Sequence, residues 1–226
     1  MPISVGFYRK MHQWLIAEQE NTVKFRPFLT KGNPYKSRIF LVSANTVPQL
    51  YVEDDNEKFF AEALMNRTLL KREYLDELNR APREFQGSLQ FEEWLEKRGE
   101  SLLYTALNAY QLASLDDAKW AKQEDAEDYA RGEEIFQEVL EEFQPEILIL
   151  QGTTAFTQFK KQFAESLIIY NSAITKVQSL EEAGPFAEMH FASGKKMLVF
   201  VTRSMGYFGH DGAKFEKFKE NLIKSL

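Results

Sequence analysis

The stretch Arg38-Ile39-Phe40-Leu41-Val42-Ser43-Ala44-Asn45-Thr46-Val47-Pro48 decides the fold. Its apolar run from Ile39 to Val42 is short, β-branched and aromatic, and it breaks into small polar residues ahead of a proline. That pattern describes a strand buried on both faces that delivers a loop. In an open α/β sheet the crevice beyond the carboxyl ends of the strands is the usual ligand site, so the loop beginning at Asn45 is the first place to look for function.

Working outward, Glu146-Ile147-Leu148-Ile149-Leu150-Gln151-Gly152 repeats the same logic: a buried strand, a glycine turn, then a helix carrying Phe156, Phe159 and Phe163. Residues 101–110 read as a second strand ending near Asn108, although their spacing also fits a buried helix. Ala187 to Ala192 and Lys196 to Val201 flank Ser193-Gly194-Lys195 as a hairpin whose second arm is a core strand. Helical spacing predicts an opening helix from Tyr8 to Glu20, helices over 57–65 and Leu69 to Leu78, one opening at Ser88 and stopped by Gly99, one from Asp125 to Phe143, and a closing helix from Asp211. Strands separated by helices predict a three-layer α/β/α fold, with a mostly parallel sheet of about four core strands and an added edge hairpin strand.

The chain has 226 residues with no low-complexity linker, so a single domain over 1–226 is expected. No cysteine occurs, which excludes disulfides, iron–sulfur clusters, thiolate zinc sites and a cysteine nucleophile. His12, His190 and His210 lack metal-ligand spacing, and no GxSxG, Walker or GxGxxG pattern is present, so neither a metal nor a cofactor is expected. No apolar run approaches the ~20 residues that span a bilayer, so no membrane association and a cytoplasmic location are expected. The net charge of −6 argues against bulk electrostatic coating of nucleic acid but leaves room for a local basic face.

The succession Val42-Ser43-Ala44-Asn45, Ala106-Leu107-Asn108-Ala109, Pro145 to Gly152, and Ser204-Met205-Gly206-Tyr207-Phe208-Gly209 resembles the uracil-DNA glycosylase superfamily from about Arg26 to the C-terminus. The resemblance implies a DNA glycosylase-like protein that hydrolyses the N-glycosidic bond of uracil or another damaged base flipped out of DNA, acting as a monomer. It assigns Asn45 the catalytic position. It makes Ala44, Tyr51, Phe59 and Asn108 base-binding residues, and Gly152, Thr153, Arg203 and Ser204 DNA contacts. The family's Gly and Pro beside the catalytic residue are replaced here, and Thr202-Arg203-Ser204 stands where its His-Pro-Ser loop falls. Those departures support an alternative: a catalytically inactive glycosylase-fold module that binds nucleic acid or a protein partner.

Each residue also has a plainer reading. Asn45 caps a turn, Asn108 satisfies backbone groups, Phe59 joins the core and Arg203 is a solvated charge. An amide is no general base at neutral pH, so Asn45 would orient water and stabilise charge on the sugar.

Overall fold

In the computed structural model, residues 4–17, 22–52, 56–170 and 172–226 are described. In chain order the elements are α1 (Val5–Leu15), β1 (Ile16–Ala17), β2 (Thr22–Val23), β3 (Leu29–Thr30), β4 (Ile39–Ser43), α2 (Glu57–Leu64), α3 (Arg67–Glu73), α4 (Leu75–Arg80), α5 (Arg83–Glu96) and β5 (Leu102–Ala106). They continue with α6 (Ala118–Glu124), α7 (Ala126–Phe143), β6 (Ile147–Gln151), α8 (Gly152–Gln162), β7 (Leu167–Ile169), α9 (Val177–Ala183), β8 (Ala187–His190), β9 (Lys196–Thr202) and α10 (Glu216–Lys224).

A seven-stranded sheet runs in the order β3-β5-β4-β6-β9-β8-β7. The four middle strands are mutually parallel, with Leu41 level with Tyr104 and Ile149, and Ile149 level with Phe200. The outer strands β3, β8 and β7 each run antiparallel to their inner neighbour. Every residue of β4, β5 and β6 is buried, because helices cover both faces. Phe40 and Phe143 of α7 pack on one face, where Trp14 of α1 and Phe163 after α8 join them. Tyr104 and Phe200 point to the other face, against Phe85 of α5 and Phe218 of α10.

The three-layer α/β architecture therefore follows the sequence pattern, with β4 at the centre. The chain moves from β4 to β5 on one side and then returns past β4 to β6 on the other. The order reverses between β4 and β6, so the crevice at their carboxyl ends is the topological switch point. We call this edge of the sheet the crest.

Several boundaries differ from expectation. The opening helix begins at Val5, because the Ser4 hydroxyl accepts from the Phe7 amide at 3.2 Å, and it ends at Leu15, where Ile16 turns extended. Its expected end at Glu20 lies outside the described residues. Ser88 does not open a helix: α5 starts at Arg83 behind Pro82, and the Ser88 hydroxyl donates back to the Glu84 carbonyl at 2.8 Å. The second strand stops at Ala106, so Asn108 lies beyond it in irregular backbone. The short elements β3, β7, α6 and α9 were not expected.

Candidate functional site

The crest is assembled from the loops after β4, β5, β6 and β9. The β4 loop is fixed along its length. Buried Arg26 donates to the carbonyls of Val47 at 2.8 Å and Pro48 at 2.9 Å. Thr46 donates to the Asn108 carbonyl at 2.9 Å, and the Gln111 side chain accepts from the Leu50 amide at 3.0 Å. Burial lowers the Arg26 guanidinium to about 10; the nearby Tyr104 hydroxyl opposes that shift and the Arg67 charge adds to it.

On this loop Asn45 is half-buried, and its Oδ1 accepts from the Tyr129 hydroxyl at 3.2 Å. Its amide Nδ2 takes no acceptor among the described residues, so both of its N–H donors remain for a ligand or water. Ala44 is half-buried against the core, Tyr51 is 67% exposed at the loop's end, and Phe59 is half-buried in the first turn of α2.

Asn108 is committed elsewhere. Its Nδ2 donates to the Tyr129 carbonyl at 2.8 Å and its Oδ1 accepts from the Tyr110 amide at 2.9 Å. A Cβ on Gly132 would lie 2.0 Å from that Oδ1, so α7 approaches the side chain on a bare backbone. Buried at 3% exposure and with one bond on each end of its amide, Asn108 ties α7 to the β5 loop.

Arg203 is also committed. Its guanidinium pairs with both oxygens of Glu181, at 2.8 Å from Nη2 to Oε1, and donates to the Lys214 carbonyl at 2.9 Å while lying over Phe215. Hydrogen bonding to Glu181 holds its pKa above the ordinary value. This pair engages Nε and Nη2 and gives Arg203 a structural role in holding α9 to the β9 loop. Ser204 caps the turn at Met205–Tyr207, where its hydroxyl accepts from the Gly206 amide at 3.2 Å.

Gly152 starts α8 with φ at +84°, a conformation that favours glycine, and Thr153 is exposed beside it. A Cβ on Gly152 would lie 3.9 Å from Oε2 of Glu84, which places a protein carboxylate at the amino end of α8. The anion position offered by that helix thus already faces an internal anion. Burial pushes the Glu84 carboxyl up, while a hydrogen bond with Ser204 opposes the shift.

Glu84, Tyr104, Ser88 and Gln151 are the crest residues that motif reasoning missed. Tyr104 donates to Ser43 at 3.2 Å, Ser88 meets Gln151 at 3.3 Å, and the Met205 amide donates to Gln151 at 3.3 Å. Burial, with the Glu84 charge nearby, raises the Tyr104 hydroxyl to about 12. These groups come from α5 and its face of the sheet, whereas Asn45 is held by α7 on the opposite face. The Ser43 hydroxyl joins the two sets, accepting from Tyr104 and donating to the Asn45 carbonyl at 2.9 Å.

A cavity of about 710 Å³ lies between α1, the turn at Gly32–Tyr35 and the end of α2. Three exposed aromatic side chains lie in the connections that follow the crest strands: Tyr51 (67%) after β4, Trp120 (58%) on α6 after β5, and Tyr207 (60%) after β9. Arg83 at the start of α5, Lys119 and Lys122 on α6, and Lys214 after β9 are exposed, and none makes an ion pair among the described residues, Lys122 lying over the Tyr129 ring.

Among the described residues no group of three or more His, Asp or Glu side chains is placed to hold a metal ion, and no helix is long and apolar enough to cross a membrane. Comparison with protein-family models and with curated proteins finds no match for this chain.

Proposed function

We propose that this chain is a glycosylase-like nucleic-acid-binding module that takes unstacked bases of single-stranded or locally opened DNA on the crest. The observation that carries the reading is the set Tyr51, Trp120 and Tyr207, one exposed aromatic on each of the connections that follow β4, β5 and β9, with Trp120 carried by α6. Stacking on such faces is sequence-tolerant and worth about 1–3 kcal/mol per base. Arg83, Lys119, Lys122 and Lys214, without an ion pair among the described residues, supply local positive charge on a chain whose total is −6. The free Nδ2 of Asn45 adds a donor for a carbonyl on a base edge.

Binding without hydrolysis is favoured because the residue at the catalytic position, Asn45, is an amide that cannot act as a general base and bonds to a phenol. Anisotropy of a labelled single-stranded oligonucleotide, at several salt concentrations, tests the reading. Tyr51→Ala, Trp120→Ala and Tyr207→Ala should each weaken binding by about 5- to 100-fold. Wild-type binding that none of the three changes refutes the crest. Oligonucleotides carrying uracil, hypoxanthine or mismatched thymine, treated with alkali after incubation, test hydrolysis directly. Strand breaks that Asn45→Ala abolishes would make the protein a glycosylase and overturn the non-catalytic reading.

A further inference from the structure

The outermost strand β7 has an open side. It pairs with β8 antiparallel, with Leu167 opposite Met189, Ile168 opposite Glu188 and Ile169 opposite Ala187. The Tyr170 amide donates to the Phe186 carbonyl at 3.0 Å, which places residues 170 and 186 in the bonded phase of the ladder, although the Phe186 amide itself donates to the Val199 carbonyl at 2.7 Å. Hydrogen-bonded and non-bonded pairs alternate along an antiparallel ladder, which makes Ile168 and Glu188 the next bonded pair. Leu167 and Ile169 therefore turn their N–H and C=O groups away from β8, toward the free edge.

Among the described residues, shortness is the device that limits this edge. Ser166-Leu167-Ile168-Ile169-Tyr170 contains no charge, proline or glycine, the usual devices against strand addition. Ile168 is 54% exposed and Tyr170 48%. At the opposite margin of the sheet, both residues of β3 are buried.

We propose that β7 is a self-association surface on which a second copy of this chain adds its own β7, antiparallel, across a twofold axis at Ile168. The outward groups sit symmetrically on either side of that residue, as an isologous interface requires. Leu167 of one copy then bonds with Ile169 of the other, and the reciprocal pair does the same. That gives four backbone hydrogen bonds, with the two Ile168 side chains facing one another in a non-bonded pair. The charge nearest the axis is also compensated: Glu188, on the same face as Ile168, pairs with Lys196 at 2.6 Å, so the copies meet without like-charge repulsion. A three-residue strand makes a small interface, so the association is weak and concentration-dependent. It replaces the monomer expected from the sequence and is independent of the crest.

The absence of cysteine from the chain makes the test direct, since Ile168→Cys introduces a single thiol. Facing residues of a non-bonded pair lie about 4.5 Å apart at Cα, within disulfide range. Mild oxidation of the full chain should yield a disulfide dimer about tenfold or more faster than Ser193→Cys on the exposed hairpin turn, because the paired thiols meet within a complex. Ile169→Pro removes an N–H aimed at the free edge and leaves the β7–β8 ladder intact. It should reduce the dimer fraction in sedimentation velocity at high protein concentration. Cross-linking of Ile168→Cys no faster than the control, or identical monomeric sedimentation of wild type and Ile169→Pro, overturns the proposal.

Discussion

Two asparagines of the same type, each following a core strand, have opposite fates here. Asn108 is buried, and truncation would strand the Tyr129 carbonyl and the Tyr110 amide. Asn108→Ala should therefore cost about 2–4 kcal/mol in urea unfolding. Asn45 is half-buried on one phenol hydrogen bond, so Asn45→Ala should cost no more than about 1 kcal/mol while weakening base binding. Sequence placed both residues near the crest, because β4 and β5 are strongly apolar runs. It could not separate their roles, because what consumes Asn108 is the backbone of a helix some twenty residues further on. The same holds for Arg203, whose partner Glu181 is 2% exposed on α9, an element with no pattern strong enough to announce it. Arg203→Met should cost about 2–4 kcal/mol by leaving that carboxylate buried without its cation, and should leave the salt dependence of DNA binding unchanged.

At the scale of elements, α5 is the helix that shapes the crest. A Cβ on Gly87 would lie 1.8 Å from the Met205 carbonyl oxygen, so α5 and the turn after β9 touch backbone to backbone. Gly87→Ala should destabilise the fold by about 3 kcal/mol or more, measured by urea unfolding, because no flexible side chain can yield there. α5 also brings Glu84 to the crest with its carboxyl raised by burial. The folded state then holds that proton to higher pH than the unfolded chain does. Stability contributed by the protonated group is present below the unfolded carboxyl pKa and is lost as pH rises through the folded one. Glu84→Gln should flatten that part of the stability–pH curve; a slope identical to wild type would remove Glu84 as a shifted group. This helix was only half legible: its apolar spacing was plain, but Ser88 imitates a cap, and the true start follows from Pro82. β7 was missed for a related reason, since three residues are too few to display a period.

For the whole molecule, the parallel core and its switch point were legible because strands buried on both faces must read as apolar runs. The distribution of surface chemistry was not, since burial decides which aromatics and cations remain free. The chain has 19 Phe and 9 Tyr, and few of them stay in water; Tyr51 and Tyr207 do so on the crest. Trp14 and Trp94 are buried while Trp120 is 58% exposed, which gives the crest its own fluorescent reporter. The most direct measurement is the emission of the protein during titration with a single-stranded oligonucleotide at low salt. Stacking at the crest predicts saturable quenching of the exposed, red-shifted Trp120 component, lost in Trp120→Phe even though that variant still binds. Unchanged emission, or quenching that persists in Trp120→Phe, would contradict base binding at the crest.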